Sequence, residues 1–189
     1  MPGFRIRQAT PGDAAALVEL ARAVGSEPEG WLLTVGGWRT VADERRAIRA
    51  QRWSRDTVVV VAEATEGGII GRLSLVRDEH PAAPHVADLG IMVAREARGQ
   101  GVGTALIAAA VAWAQAAAVA KVELHVFPHN VAAIALSERC GFVADGVRAG
   151  RFLRDGRAVD ALLMALPVGA HEPRERASAD AAGWQYSPG

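Results

Sequence analysis

A glycine-rich stretch in the middle of the chain constrains its fold more than any other segment. Residues 98–104 read Arg-Gly-Gln-Gly-Val-Gly-Thr. An apolar run at 87–93, typical of a β-strand, precedes this stretch, and an alanine-rich run at 105–114, typical of a helix, follows it. The order predicts a strand, a tight turn and the beginning of a helix, so the centre of the chain should fold as an α/β unit.

The same stretch has the chemistry of an anion site. The first amides of a helix lack partners within the helix, and the helix dipole adds partial positive charge there. Glycines let the backbone approach a ligand closely, and Arg98 adds a fixed positive charge. We therefore expect a phosphate-bearing ligand, with a pyrophosphate as the favoured group, to be bound by residues Arg98, Gly99, Gln100, Gly101, Val102, Gly103 and Thr104.

Two other interpretations of the glycines have to be weighed. A dinucleotide-binding turn needs the spacing G-x-G-x-x-G, but Leu106 occupies the place of the third glycine counted from Gly101. Alternatively, Gly101 and Gly103 serve only close helix packing, and Arg98 is a solvated surface charge. The spacing argues against the dinucleotide-binding turn and leaves the packing alternative open.

Composition and charge narrow the class of protein. Of the 189 residues, 50% are hydrophobic and 22% are charged, as in an ordinary globular domain. The 21 basic and 21 acidic side chains cancel, which gives no overall attraction to nucleic acid or to anionic membranes. A single cysteine, Cys140, excludes disulfides within one chain. With no apolar run that resembles a signal peptide or a membrane span, we expect a cytoplasmic protein that binds neither nucleic acid nor a membrane.

The remaining segments alternate between strand and helix patterns and predict a mixed α/β domain. Helical spacing occurs at 13–24, 41–53 and 130–139. Strand patterns occur at 4–8, 57–63, 69–75 and 121–127, and a final pair after Phe142 is joined by an Asp155-Gly156 turn. We expect one domain over residues 1–167, followed by a mobile polar tail over residues 168–189.

A second sequence block identifies the family that this chain resembles. Residues 130–142 read Asn-Val-Ala-Ala-Ile-Ala-Leu-Ser-Glu-Arg-Cys-Gly-Phe. The block resembles the N-x-x-A-x-x-L-Y-E-x-x-G-F segment of the GNAT superfamily of acyl-CoA-dependent N-acetyltransferases. The pattern Arg98-x-x-Gly101-x-Gly103 likewise resembles the R/Q-x-x-G-x-G/A pyrophosphate loop of that superfamily. The resemblance covers about residues 4–166, and the hairpin followed by Val159-Asp160 resembles the bacterial branch of phosphinothricin and amino-acid N-acetyltransferases.

The resemblance implies a fold and an activity. The fold would be a GNAT-like, splayed and mostly antiparallel sheet of six to seven strands, with about four helices on both faces. The activity would be direct transfer of an acetyl group from acetyl-CoA, as co-substrate and without a metal, to the primary amine of a small molecule. Sheets of this kind often pair at an edge, which makes a homodimer a candidate assembly.

The resemblance also implies where acetyl-CoA binds. The 98–104 loop would hold the diphosphate, and the strand residues Ile91, Met92 and Val93 would offer backbone groups to the pantetheine arm. A bulge at Gly90 would open the sheet for that arm. The side chain of Asn130 would contact the pantetheine, although it could also serve as a helix cap.

One position departs from the family pattern. The tyrosine that protonates the departing thiolate in this family is replaced by Ser137, and the only tyrosine of the chain is Tyr186. Ser137 could donate a hydrogen bond to CoA, but an aliphatic hydroxyl is a poor acid. We therefore expect a water molecule to relay the proton, or the thiolate to leave without full protonation. A non-catalytic module that binds acyl-CoA is the rival function that this departure motivates.

Candidates for the remaining roles come from two strands and one loop. Asp88, Glu123 and His125 are candidate general bases, and Glu123 and His125 share a strand face opposite Val122 and Leu124. Each could instead be purely structural. For the acceptor amine, the candidates are Trp31 and Glu27 in the loop over residues 25–40, together with Glu123. Acetylation of a protein N-terminus or of a lysine is a third possible function.

Overall fold

The computed structural model describes residues 3–30, 32, 38–154 and 156–169. Within these residues the chain forms seven strands and four α-helices, with single turns of 3-10 helix at Pro11–Asp13 and Arg95–Ala97. In chain order the elements are β1 (Phe4–Gln8), α1 (Ala14–Gly25), α2 (Val41–Gln51), β2 (Thr57–Ala64), β3 (Ile69–Arg77), β4 (Val86–Val93), α3 (Val102–Ala116), β5 (Lys121–Val126), α4 (Val131–Arg139), β6 (Val143–Arg154) and β7 (Arg157–Pro167).

The strands form a single sheet in the order β1-β2-β3-β4-β5-β7-β6. Strands β4 and β5 pair in parallel, and the other neighbouring pairs are antiparallel. The parallel pair arises because α3 carries the chain back along the sheet between β4 and β5. The prediction of a mixed α/β domain with a mostly antiparallel sheet is confirmed.

The sheet splays open between β4 and β5. These two strands pair only over Val86–Lys121, Ala87–Val122 and Asp88–Glu123. Beyond Asp88, β4 continues along β3 up to Val93, whereas β5 continues along β7 up to Val126. Because each strand follows the twist of its own antiparallel partner, the two diverge and leave a gap between their C-terminal halves.

The prediction of a bulge at Gly90 is wrong, because β3 and β4 pair without interruption there. The register between these strands runs without a shift from Gly71–Val93 through Ser74–Gly90 to Arg77–Ala87. The sheet therefore opens on the other side of β4, where pairing with β5 ends after three residues.

Helices cover both faces of the sheet, as predicted. The register pairs Val61 with Arg72, and Arg72 with Met92, so these side chains share one face. On that face Leu17 of α1 and Ile48 of α2 pack against Val59 and Val61. On the opposite face a Cβ at Gly71 would lie 3.0 Å from Leu106 and 3.1 Å from Val102, which shows how closely α3 packs there.

The C-terminal end of the sheet is formed by β7. Strand β7 ends at Pro167, and the Val168 amide donates to the Ala120 carbonyl at 2.9 Å. The pair Arg154–Arg157 encloses the expected two-residue turn, in which Gly156 has a φ of 75° and Asp155 lies outside the described residues. The predicted tail, apart from residues 168 and 169, also lies outside them.

Candidate functional site

The glycine-rich loop leads from β4 into the N-terminus of α3, as its sequence predicted. The first main-chain bond of α3 runs from the Ala105 amide to the Gly101 carbonyl at 3.0 Å. The amides of Val102, Gly103 and Thr104 therefore precede the hydrogen-bonded ladder and point out of the helix end. The first turn of α3 carries no acidic residue, so the field of the helix end is not cancelled there. These outward amides give the loop the chemistry of an anion-binding site.

The three glycines have different physical roles. Gly99 and Gly101 have φ angles of 72° and 84°, and a Cβ at either position would meet nothing within 4 Å. Their backbone conformation favours glycine, and the space in front of them is open. At Gly103, by contrast, a Cβ would lie 2.7 Å from Cδ2 of Leu136 in α4. The packing alternative therefore holds for Gly103, whereas Gly99 and Gly101 shape the open loop.

Two side chains of the loop are engaged within the protein. Arg98 forms a two-point ion pair with Glu27, with Nη2–Oε1 at 2.7 Å and Nη1–Oε2 at 2.9 Å, and its Nε donates to the Val93 carbonyl at 3.1 Å. Gln100 donates from Nε2 to the Glu96 carbonyl at 2.7 Å. Glu27, predicted to attract the acceptor amine, also contacts Arg95 at 3.2 Å. It therefore lies beside the anion loop and is already balanced by two arginines.

The gap between β4 and β5 forms a cleft that reaches both faces of the sheet. We call it the splay cleft; its volume is about 220 Å³. Five of the predicted site residues line the cleft: Ile91, Met92, His125, Asn130 and Ser137. The rest of the lining consists of Leu32, Trp38, Arg72, Ser74, Leu89, Gly90, Leu124, Val126, Phe127, Ala133 and Leu136. The structure thus brings the strand β4, the beginning of α4 and the candidate base His125 together around one cavity.

Asn130 and Ser137, the two predicted site residues at α4, both make hydrogen bonds within this helix and its cap. The Oδ1 atom of Asn130 accepts from the Ala133 amide at 3.1 Å, so Asn130 is the N-cap of α4. This cap leaves the amide nitrogen of the side chain for a ligand. Ser137 is only 4% exposed, and its hydroxyl donates to the Ala133 carbonyl at 2.8 Å. Because its proton points into the helix, Ser137 is not set up to protonate a thiolate.

A row of ionisable side chains crosses the sheet where the splay begins. Asp88 and Glu123 are register partners across the last β4–β5 pair, and His125 lies on the same strand face as Glu123. Val122, Leu124 and Val126 alternate with them and are buried, as predicted. Glu123 accepts from Nζ of Lys121 at 2.5 Å, and the same Nζ contacts Asp145 at 2.6 Å. Glu123 is therefore held in a surface ion-pair cluster.

Burial shifts the other two groups of this row toward their neutral forms. The pKa of His125 is lowered, first by burial and then by the positive charge of Arg148, although the carboxylate of Asp88 opposes this shift. The pKa of Asp88 is raised, mainly by burial and partly by Glu123. The Nε2 atom of His125 is buried and has no hydrogen-bond partner among the described residues. A neutral imidazole at the edge of the cleft is competent to accept a proton.

Sequence reasoning missed a buried charge cluster at the cleft wall. Arg72 of β3 is 7% exposed and Glu44 of α2 is 1% exposed, with Arg72 Nε and Glu44 Oε1 separated by 3.8 Å. Trp38 packs against this pair, with its ring centroid 5.1 Å from Cζ of Arg72. A signal was present: Arg72 is the one charged residue in the apolar run 69–75, and Glu44 lies on the apolar face of α2 with Ile48.

Some expectations fall outside what the structure describes. Trp31, predicted to contact the acceptor, lies outside the described residues, although Leu32 and Trp38 on either side of the gap line the splay cleft. Among the described ranges, no three histidine, cysteine, aspartate or glutamate side chains are arranged to hold a metal ion. Nor does any described helix have the length and apolarity needed to cross a membrane.

Comparison with known proteins gives the class of protein that this fold and cleft define. The model of the acetyltransferase (GNAT) family matches residues 29–142. A solved GNAT acetyltransferase from Streptococcus pneumoniae superposes with a TM-score of 0.79 at 28% identity, covering 88% of this chain and 99% of that one. The chain therefore belongs to the GNAT family of acetyltransferases, as its two sequence blocks indicated.

Two further proteins are relevant to the resemblance to phosphinothricin and amino-acid N-acetyltransferases. The L-amino acid N-acetyltransferase AaaT of Escherichia coli is 34% identical over 104 residues, which are 53% of this chain and 62% of that protein. This chain thus spans less than two thirds of that relative. The phosphinothricin acetyltransferase of Sinorhizobium meliloti, solved in complex with acetyl-CoA, shares the fold with a TM-score of 0.78 at 22% identity, covering 94% of this chain and 97% of that one.

Proposed function

We propose that this protein transfers the acetyl group of acetyl-CoA directly to the primary amine of a small molecule. The observation that carries the proposal is the splay cleft, which joins the face of the sheet covered by α3 to the face covered by α1 and α2. One substrate can approach from each face, so that the two meet between β4 and β5. Membership of the GNAT family and the similarity to one relative named as an L-amino acid N-acetyltransferase support this assignment.

The donor side has the parts needed to hold acetyl-CoA. The open backbone at Gly99 and Gly101, with the free amides at the beginning of α3, suits the diphosphate. Leu89–Met92 of β4 has an edge that β5 leaves unpaired, so its backbone groups are available to the amide-rich pantetheine arm. The carbonyl of the next predicted residue, Val93, already accepts from Arg98. The amide nitrogen of Asn130 adds a donor at the cleft wall. Acetyl-CoA supplies the activated acyl group, and these residues orient it.

The acceptor amine has to lose a proton before it can attack. We assign the role of general base to His125, because its imidazole lines the cleft and its lowered pKa keeps it neutral near pH 7. Asp88 lies on the same face and is the alternative base, although as an acidic group it is a weaker proton acceptor than an imidazole. Glu123 is tied to Lys121 and has a structural role in this scheme.

The thiolate side of the reaction differs from the family pattern. The Ser137 hydroxyl is bound to the Ala133 carbonyl, so the proposal requires water in the cleft to protonate the departing thiolate. A non-catalytic acyl-CoA-binding module is the second candidate function, and the serine at this position is the observation that favours it.

The decisive experiment is turnover on a panel of small primary amines with acetyl-CoA. Release of free CoA thiol is followed in solution, and the acetylated product is identified by mass spectrometry. Because Cys140 is the only thiol of the protein, a Cys140→Ser variant removes the background of the thiol assay. Acetylation of at least one small amine supports the proposal. Binding of acetyl-CoA without turnover on any amine would favour the non-catalytic module, and acetylation of peptide N-termini or lysines alone would favour a protein acetyltransferase.

A further inference from the structure

Among the residues that the structure describes, the buried Arg72 at the wall of the splay cleft shares its one facing carboxylate with a second arginine. Two guanidinium groups face Glu44: Arg72 Nε lies 3.8 Å from Oε1, and Arg39 Nε lies 3.4 Å from Oε2. The single negative charge of Glu44 therefore faces the two positive charges of Arg39 and Arg72. The 3.8 Å separation is too long for a hydrogen bond, so Arg72 and Glu44 attract each other without sharing a proton.

The hydrogen-bonding capacity of Arg72 is also largely unused. Its Nη1 donates to the Ser74 hydroxyl at 3.2 Å, whereas its Nε is buried and has no hydrogen-bond partner among the described residues. A buried donor without a partner costs free energy, and the cost is greatest for a charged group. Such a group is expected where a ligand completes the hydrogen bonds.

Arg72 lies in the part of the cleft that is open to the acceptor amine, on the sheet face opposite α3. On β4, Arg72 is paired with Met92, and the next pair on the same sheet face is Ser74–Gly90. Both pairs lie beside the part of β4 that borders the opening. Arg72, Ser74 and Trp38 all line the cleft. They lie on the sheet face that α1 and α2 cover, whereas α3 and its anion loop lie on the other. The diphosphate site and Arg72 are therefore on different faces.

We infer that Arg72 binds a carboxylate of the acceptor, so that the substrate is an amine that carries a carboxylate, such as an amino acid. This inference rests on the proposed function and specifies its substrate class. A planar guanidinium fork matches a planar carboxylate, and a negative group would balance the surplus charge of the cluster. Trp38, with its ring beside Arg72, supplies an apolar wall that excludes water from the pair.

The test compares L-amino acids with their C-terminal amides, which keep the amine and the side chain but lack the charge. A single Arg72→Met substitution would leave Glu44 buried and unpaired, so the diagnostic variant is the double variant Arg72→Met with Glu44→Gln. The variant Glu44→Gln alone is the matched control, because it retains Arg72. Thermal unfolding and acetyl-CoA affinity are measured for each protein to establish that it is folded.

We expect the wild-type kcat/KM to be about ten- to a hundredfold higher for an acid than for its amide, the range that one hydrogen-bonded charge gives. The Glu44→Gln control should keep or increase this ratio, and the double variant should bring it close to one while acetyl-CoA affinity stays unchanged. Equal use of acids and amides by the wild type, or an unchanged ratio in the double variant, would overturn the inference.

A failure of the proposed function would be recognised separately. If neither acids nor amides are acetylated, calorimetric titration of the CoA-bound protein with the same pairs still measures carboxylate binding at Arg72. Tighter binding of the acid, lost in the double variant, would uphold the carboxylate site while the transfer activity is rejected. A wild-type preference for the amides, which resemble peptide N-termini, would contradict the inference and favour a protein N-terminal acetyltransferase.

Discussion

Glu27 accepts hydrogen bonds from Arg98 through both carboxylate oxygens, at 2.7 and 2.9 Å, directly beside the loop that we propose binds the diphosphate of acetyl-CoA. The carboxylate is 8% exposed and also contacts Arg95 at 3.2 Å. Arg98 at the same time donates to the Val93 carbonyl at the end of β4. The ion pair therefore connects the loop that follows α1 to the turn between β4 and α3, and it puts a negative charge next to the proposed diphosphate site.

Replacing Glu27 by Gln should change acetyl-CoA binding through this charge. Glutamine keeps the size of the side chain but removes the repulsion of the diphosphate and frees the charge of Arg98. We expect the KM for acetyl-CoA to fall several-fold at low ionic strength and the difference to shrink in high salt. The matched control is Glu29→Gln, because Glu29 is exposed and pairs with Arg95 alone, at 2.9 Å. A higher KM for acetyl-CoA in Glu27→Gln would mean that holding Arg98 in place matters more for binding than the negative charge of Glu27.

The open backbone at Gly101 permits a test of the anion loop that isolates charge. Asn and Asp are isosteric and both tolerate the left-handed conformation that the φ of 84° requires. Gly101→Asn and Gly101→Asp should therefore fold alike, but the aspartate adds a like charge to the cradle. We expect Gly101→Asp to weaken acetyl-CoA binding at least tenfold relative to Gly101→Asn, which is about 1.4 kcal/mol. Equal affinities of the two variants, measured by calorimetry, would place the diphosphate elsewhere.

The loop and the elements around it were predictable because each depends on local sequence. The strand at 87–93, the glycines and the apolar helix are neighbours in the chain, and their order determines the geometry. The role of Gly103 was not predictable in this way. It depends on Leu136, 33 residues further on, where a Cβ would come within 2.7 Å. A glycine that allows two helices to approach has no local pattern that distinguishes it from one that shapes a turn.

The cluster at the cleft wall was missed for a similar reason. Arg72, Glu44 and Trp38 belong to a strand, a helix and a loop, and only the sheet register and the packing of α2 bring them together. The pairing of Glu27 with Arg98 also joins residues far apart in the chain. Ionisable side chains can be listed from a sequence, but which charges neutralise one another is decided by tertiary structure.

Ser137 should be dispensable for the chemistry. Ser137→Ala removes the hydrogen bond from its hydroxyl to the Ala133 carbonyl, which remains part of the helix ladder. We expect at most about 0.5–1.5 kcal/mol of lost stability and a kcat within roughly tenfold of the wild type. Denaturant unfolding and steady-state kinetics measure the two effects. A loss of several orders of magnitude in kcat with acetyl-CoA binding intact would show that the serine itself takes part in the reaction.

An ion pair beneath α1 should make folding stability depend on acidic pH. Arg7 donates to both oxygens of Asp13, at 2.7 and 2.8 Å, and this lowers the pKa of Asp13 from 3.8 to about 2. A carboxyl whose pKa is depressed in the folded state stabilises the protein above the unfolded pKa. That contribution is lost as the pH falls from about 4 to about 2. Since the pair is partly solvated, we expect on the order of 1 kcal/mol.

The matched pair of variants for this test is Asp13→Asn and Asp43→Asn. Both aspartates lie three residues after a threonine at a helix beginning and contact its hydroxyl, but Asp43 pairs with Arg46 in an exposed position. Urea unfolding at several pH values should show a deficit for Asp13→Asn at pH 7 that disappears near pH 2. The Asp43→Asn deficit at pH 7 should be smaller, because Asp43 and Arg46 pair in an exposed position. Parallel curves for Asp13→Asn and the wild type would contradict the assignment.

The pH dependence of turnover should identify the general base. Burial and the charges of Arg148 and Arg151 lower the pKa of His125 below 6.5, although the carboxylates of Asp88 and Glu123 oppose them. Only the neutral imidazole accepts a proton, so kcat should rise with pH through that lowered pKa and level off above it. His125→Gln should reduce kcat by about 10²- to 10⁴-fold and remove this acidic limb, while the KM for acetyl-CoA stays unchanged.

Substitutions of Glu123 and Asp88, which lie on the same sheet face as His125, test whether His125 is the general base. Glu123→Gln removes the carboxylate next to His125 on its strand, but that group is held by Lys121 and should be needed little for turnover. Asp88→Asn removes the alternative base, whose pKa is raised by burial. If Asp88→Asn loses the acidic limb and most of kcat while His125→Gln retains both, then Asp88 is the base. In that case the proton would leave the amine toward β4 instead of β5.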